Sequence, residues 1–282
     1  MKYKKQKCDT IYKKKDWGRN FGIGILLMLV ILAVFAKLIS PYDPAEQNIS
    51  FRLLPPQSEG HILGTDYLGR DILSQLIFGT RVSLFIGLSG TVFGLIFGTA
   101  LGLIAGFYGE KADTVIMRLG DIQLAFPFTL LAISLMGVLG PGIKNIIIVA
   151  LVTGWVKYAR VIRAEVLSTK EQEYVQAGRA LGFSDSRLLF SHILPNSIGP
   201  GLVVASLETG RIILLEAGLT FLGLGVPNSI PTWGTMLSEG RTYMLTAPWL
   251  AIFPGLAITL TVLAVNMLGD WLRNRLDPKL NH

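Results

Sequence analysis

Charge is scarce in this chain. Of its 282 residues, 16% are charged and 51% are hydrophobic, whereas soluble domains carry about 25% charged residues. The scarcity excludes an ordinary soluble domain and leaves an integral membrane protein. Cysteine is reduced to Cys8, which excludes an intrachain disulfide. The histidines, His61, His192 and His282, stand far apart without metal-ligand spacing, so no metal site is expected. There is no Gly-x-x-x-x-Gly-Lys-Ser/Thr phosphate loop and no nucleophile–base constellation. The chain is therefore expected to be neither an ATPase nor another enzyme, and to bind no cofactor of its own. One surplus is present, a formal charge of +7. In a soluble protein it would raise nucleic-acid binding, but membrane proteins concentrate Lys and Arg on the cytoplasmic side.

Uncharged runs divide the rest. A basic tail, 1–19, precedes an apolar run from Asn20 to Ala36. The run is long and no small-x-small cleavage site precedes Pro41, so a retained first transmembrane helix over 20–40 is expected rather than a signal peptide. Residues 41–81 carry Pro41, Pro44, Pro55 and Pro56 and form an extracytoplasmic loop. Leu68, Ile72 and Leu76 predict an amphipathic helix at its end, with Asp66 as N-cap. The transmembrane domain proper, 82–272, opens with Val82–Tyr108, 27 residues without a charge. Gly90, Gly94, Gly98, Gly102 and Gly106 recur there every fourth residue, a stripe that lets a second helix approach closely. Further spans are expected over Ile122–Val138, kinked at Pro127, and over Ile143–Ala159, with Lys144 and Lys157 snorkelling from its ends. Two more cover Ile198–Leu224 and Ala247–Gly269, and a basic tail, 273–282, closes the chain. The expected fold is all-α, with six transmembrane helices.

With the N-terminus inside, 19 of the 26 Lys and Arg fall on the cytoplasmic side, 6 outside, and Arg211 within a span. This asymmetry predicts N-in/C-in topology in the cytoplasmic membrane and accounts for the charge without nucleic acid. It also makes the segment between the fourth and fifth spans, about 165–196, cytoplasmic. Ser168 and Glu171 predict a capping box, Gly182 a left-handed helix end, and Ser184 the cap of a second short helix stopped at Pro195. Two such helices cannot bury Tyr174, Val175, Leu181, Phe183, Leu188, Leu189 and Phe190 alone, so they must pack on the membrane domain or on a partner.

This hairpin resembles the cytoplasmic motif of ABC importer permeases, Glu-Ala-Ala, three residues, Gly, nine residues, Ile-x-Leu-Pro. Here it reads Gln176-Ala177-Gly178, Gly182, then His192-Ile193-Leu194-Pro195, departing at Gln176, Gly178 and His192. Leu63–Asp71 (LGTDYLGRD), Phe221–Gly225 (FLGLG) and Gly269–Pro278 (GDWLRNRLDP) resemble the C-type membrane subunits of dipeptide, oligopeptide and nickel importers. The resemblance implies a permease working by alternating access. It implies a homologous second permease, two cytoplasmic ATPase subunits carrying ATP and Mg, and an extracytoplasmic solute-binding protein. Glu173, Tyr174, Gln176, Ala177, Gly178, Arg179, Gly182, His192, Leu194 and Pro195 would form the ATPase-coupling loop. The cargo it implies is a short peptide, with nickel, a metal chelate or a glutathione-like compound as alternatives.

Glu208, Arg211 and Glu216 lie within the fifth span. Charges at that depth face a bundle interior or an aqueous path. Glu208 and Arg211 are i, i+3 and expected to pair, while Glu216 sits about 140° further round the helix. Locking of neighbouring helices and contact with a cationic or amine-bearing cargo both stay open for them. Asn145 and Asn266 are further candidates for polar contacts between helices. A stand-alone secondary transporter or channel is the competing class. It would need its own coupling-ion site, for which buried acids are few.

Overall fold

An uncharged stretch such as Val82–Tyr108 can satisfy its backbone in lipid only as a helix or in a closed barrel, and its glycine period of four fits the helix. The computed structural model describes residues 2–58 and 60–276, with side chains from Gly18 onward. The side chains of Lys2 to Lys15 and Cys8, together with Asp277-Pro278, Lys279 and His282, lie outside the described residues. Among those described there is no β-strand, only the isolated bridges Ser58–His61 and Thr65–Asp71.

The helices in chain order are α1 (Lys2–Val34), α2 (Ala36–Ile39), α3 (Ile72–Tyr108), α4 (Glu110–Leu124), α5 (Phe128–Leu139) and α6 (Ile143–Lys170). They are followed by α7 (Glu173–Ala180), α8 (Asp185–Arg187), α9 (Leu194–Phe221), α10 (Trp233–Thr242) and α11 (Trp249–Leu276). A π-helical turn, Leu188–Ile193, joins α8 to α9, so the helix is continuous over Asp185–Phe221. By length and composition α3, α6, Asp185–Phe221 and α11 can each cross a membrane, and α4 with α5 makes a fifth crossing if the bent pair is one span. Gly18–Val34 is apolar but shorter.

Helix α3 is the spine. Its 37 residues extend about 55 Å, well beyond a hydrocarbon core of about 30 Å. It packs most extensively on α6, and both pack on α9. One core layer between them holds Ile86, Met136, Ile146, Val149, Ile212 and Leu219. A second layer joins α1, α3, α9, α10 and α11 around Leu29, Leu84, Ile213, Trp233 and Ile258. The outward faces carry exposed apolar groups such as Phe85, Phe93, Ile96, Leu119 and Ile122, as a lipid-facing or partner-facing surface requires.

Several sequence expectations are corrected here. The loop over 41–81 does not end in a separate amphipathic helix capped by Asp66. Asp71 is the cap, accepting from the Ser74 N–H at 2.7 Å, and the helix runs unbroken from Ile72 into the membrane, leaving Leu68 outside it. Asp66 instead folds the loop: Oδ1 accepts from the backbone of Leu68 and Arg70, and Oδ2 from Arg70 Nε at 2.5 Å and Gln75 Nε2 at 2.9 Å. The Asp66–Arg70 pair therefore exists across a turn rather than along a helix.

Pro127 does not kink one continuous helix. It stands at the N-cap of α5, where its fixed φ and missing N–H separate two helices bent by 92°. Lys157 is not at the end of a short span, because α6 runs on to Lys170 and places it mid-helix. Asn145 does join two helices, since its amide on α6 donates to the Leu139 and Gly140 carbonyls at the end of α5.

Candidate functional site

The hairpin between α6 and α9 is built from a glycine turn and an apolar underside. Helix α7 ends at Ala180, Leu181 is its C-cap, and the chain reverses through Gly182 at φ +78°. Phe183 N–H then bonds the Gly178 carbonyl at 3.1 Å, and Gly182 N–H bonds the Arg179 carbonyl at 3.0 Å. This pair of bonds is the Schellman arrangement that a left-handed glycine permits. Ser184 caps the next turn by accepting from Arg187 N–H. The Ser168–Glu171 capping box is not formed. Ser168 lies inside α6, Glu171 closes that helix, and the N-cap of α7 is Gln172 without a side-chain bond.

Pro195 does not stop the second helix either. An α-helix running into Pro195 would meet the clash of its ring with the carbonyl four residues back. The wider π-turn over Leu188–Ile193 precedes it, and the helix continues as α9. The hairpin is thus one short helix plus the N-terminal end of the candidate span Asp185–Phe221. A displacement of the hairpin would be carried directly into that span.

Val175, Leu188, Leu189 and Ile193 are buried against Leu103 and Phe107 of α3 and Ile162 and Val166 of α6. The opposite face is open. Glu173, Tyr174, Gln176, Ala177, Arg179 and Pro195 are exposed, while His192 and Leu194 are half-buried. Leu181 and Phe190, 75% and 64% exposed, add apolar surface. Gln176 donates to the Lys170 carbonyl at 3.3 Å, a bond that an ionised glutamate could not make. Gly178 leaves no room for a side chain, since a Cβ would lie 3.0 Å from Phe183 and 3.1 Å from Leu188. Arg187 lies over the Phe183 ring at 4.0 Å, His192 stacks on that ring, and Arg179 lies over Phe107 of α3 at 5.8 Å.

The glycine stripe of α3 faces inward, mainly against α6. A Cβ at Gly94 would meet the Tyr158 ring at 3.1 Å, at Gly98 the Trp155 carbonyl at 2.6 Å, at Gly102 the Ala159 carbonyl at 2.7 Å, and at Gly106 Val166 at 2.7 Å. Gly90 lies between Ala150 and Ile212. The partner of the stripe is therefore a helix of the same chain.

The charges of α9 separate into two places. Glu208 accepts from Arg211 Nε on Oε2 and from Lys157 Nζ of α6 on Oε1, both at 2.5 Å. Glu216 is apart from them and 0% exposed. Its carboxylate accepts from Thr232 at 2.9 Å and Thr220 at 3.1 Å, and lies 3.5 Å from the Ser83 hydroxyl. These bonds tie α9 to α3 and to the start of α10, where Thr232 and Thr235 form a capping box.

A family model described as "Binding-protein-dependent transport system inner membrane component" matches residues 98–282, and "N-terminal TM domain of oligopeptide transport permease C" matches 14–56. The chain belongs to the inner-membrane permeases of binding-protein-dependent ABC importers. It is 45% identical over 267 residues to a dipeptide transport system permease protein of Alkalihalophilus pseudofirmus, covering 95% of this chain and 88% of the relative. It is 47% identical over 270 residues to a di/tripeptide transport system permease protein of Pseudomonas aeruginosa, covering 94% and 89%. A glutathione transport system permease protein of Pectobacterium atrosepticum is 44% identical over 256 residues, covering 90% and 85%. This permease is accordingly a transport subunit of the inner membrane.

Sequence reasoning missed three parts of the permease. Glu239 on α10 joins the LGTDYLGRD loop, accepting from Arg70 Nη2 at 2.7 Å and from the Tyr67 hydroxyl at 3.3 Å. Burial pushes its carboxyl above the usual range, with nearby Asp66 adding to the shift, although Arg70 pulls the other way. Ser83 and Thr232 around Glu216 carried no signal, since neither belongs to a local pattern that points to a carboxylate on another helix. Lys157 was visible, but its partner on another helix was not.

Proposed function

We propose that this permease carries short peptides inward across the cytoplasmic membrane by alternating access, as half of a pair with a homologous second permease. Two cytoplasmic ATPase subunits, which hold ATP and Mg, would supply the energy, and an extracytoplasmic binding protein would deliver the cargo. The assembled chain would have six spans with both termini inside, α1 and the bent α4–α5 pair each counting as one.

The observation that carries this reading is the hairpin. Its underside is seated on α3 and α6, its outer face is free, and it is continuous with the fifth span. The outer face, with Glu173, Tyr174, Arg179, Leu181 and Phe190, is the surface we assign to the ATPase. Peptide is favoured over nickel or a metal chelate because the relatives above are named for dipeptides, di/tripeptides and glutathione. A secondary transporter or channel would have no use for such a loop.

The experiment is uptake in a strain lacking this chain. Labelled dipeptide import is expected to return with the chain only when the partner ATPases are present, and nickel import is expected not to change. Restored nickel uptake without restored peptide uptake would replace the cargo assignment, and ATPase-independent uptake would replace the class.

A further inference from the structure

Two arginines of α6 have an acid each. Arg160 pairs with Asp121 and Arg163 with Asp113, both acids on α4. Half-way along the same helix the match fails, because Lys157 and Arg211 stand on one carboxylate, Glu208. Among the described residues neither cation has a second acidic partner. The cluster therefore carries one positive charge in excess.

One donor of the cluster also lacks an acceptor. Arg211 is held by Glu208 through Nε and lies 4.1 Å over the Phe128 ring, while its Nη2 is buried without a hydrogen-bond partner. A buried donor left unmade is costly, so such an atom points to an acceptor. Lys157 is 45% exposed on its side chain, although it stands at the middle of a 28-residue helix. That helix is about 42 Å long, so on the six-span arrangement proposed above its middle lies inside a hydrocarbon core of about 30 Å. A charged side chain at this depth faces a protein interior or an aqueous cavity rather than lipid. An exposed ammonium, excess positive charge and an unpartnered guanidinium donor thus coincide where the midpoints of α6 and α9 meet.

We propose that this cluster is a carboxylate station on the translocation path: Arg211 Nη2, with Lys157 beside it, takes the C-terminal carboxylate of the passing peptide. Glu208 holds the two cations in position, and Phe128 keeps the guanidinium plane fixed. A carboxylate supplies the missing charge and the missing acceptor together. An amine or metal cation, contact with which is one of the two roles the sequence leaves open for Glu208 and Arg211, would be repelled. The inference rests on the peptide-import reading and adds the end of the peptide that is recognised.

The test uses the complete importer in proteoliposomes, with both permeases, the ATPases and the binding protein. ATP-driven uptake is measured for a dipeptide and for the same dipeptide as its C-terminal amide, each at a concentration that saturates the binding protein. Arg211→Gln is expected to lower uptake of the free peptide about tenfold, the loss of one charge-assisted contact, and to leave the amide within about twofold. Arg211→Lys should restore much of the loss. Lys157→Gln, which removes a half-exposed side chain with little packing, should act in the same direction as Arg211→Gln. Equal loss for both peptides in Arg211→Gln and Lys157→Gln would mean that a protein group, such as an acid of the second permease, fills the donor, and would overturn the station. No change in either peptide would overturn it too. A native importer that moves neither peptide would instead remove the peptide reading, and the station with it.

Discussion

Gly178 and Gly182 stand one helical turn apart in the hairpin and are glycine for different reasons. Gly182 has open space around its Cα and a φ of +78°, so its requirement is conformational. Gly178 is helical and lacks space, with Phe183 and Leu188 against it. A left-handed conformation costs a residue with a Cβ about 1–2 kcal/mol, and Asn less than most. Thermal unfolding in detergent should therefore rank Gly182→Asn above Gly182→Ala, and Gly182→Val lowest. A reversed order would show that bulk rather than backbone decides that position. Glu239 gives a pH test. A carboxyl whose folded-state value is raised above 4.5 binds its proton more tightly in the folded chain, so folding is favoured where it is protonated. That contribution is lost as pH rises from 4.5 through the raised value. Glu239→Gln is expected to flatten this part of the stability profile, read as melting temperature against pH. Glu216, buried among three hydroxyls, is expected to tolerate Gln without a change in peptide preference. Glu216→Ala should lower the yield of folded protein.

At the level of elements, the α3–α6 contact is set by glycines that bring backbones together. Gly98 is the tightest test, since an added Cβ would lie 2.6 Å from the Trp155 carbonyl and 2.5 Å from Tyr158 Cβ. Gly98→Ala should cost about 1–3 kcal/mol through overpacking. Gly137→Ala on α5, which meets nothing within 4 Å, should be neutral or slightly stabilising by helix propensity. Equal effects in detergent unfolding would count against the packing role. The stripe, the left-handed Gly182 and the Ser184 cap were legible because each rests on a local rule: a period of four, a missing Cβ, a side-chain acceptor. The helix boundaries were less so. Pro127 was read as a kink and Pro195 as a stop, yet the first separates two helices and the second follows a π-turn. Proline states only that an ordinary α-turn is interrupted, and the neighbouring packing decides how. Asp66 and Asp71 show the same limit. Both are good caps by type, and the choice of Asp71 came from a loop folded by Asp66, Arg70 and Gln75. Pairs distant in sequence, such as Lys157–Glu208 and Arg70–Glu239, had no local signal.

At the level of the whole molecule, the account joins a seated hairpin, a continuous fifth span and a family whose members work with separate partners. Orientation can be checked in a Cys8→Ser background. Ser186→Cys in the hairpin should react with an impermeant thiol reagent only after the membrane is opened, and Ser50→Cys in the outer loop should react on intact cells. The opposite pattern would invert the topology. The coupling role has a cleaner probe than the glycines, because Leu181 is 75% exposed and has little to do with folding of this chain. The decisive measurement is the number of peptides imported per ATP hydrolysed by the reconstituted importer, native against Leu181→Asp. The account predicts that the variant reaches the membrane in normal amount while this ratio falls about tenfold, the loss of a buried apolar contact replaced by a charge. An unchanged ratio, with the variant assembled at native level, would contradict the hairpin as the element through which the ATPase moves this permease.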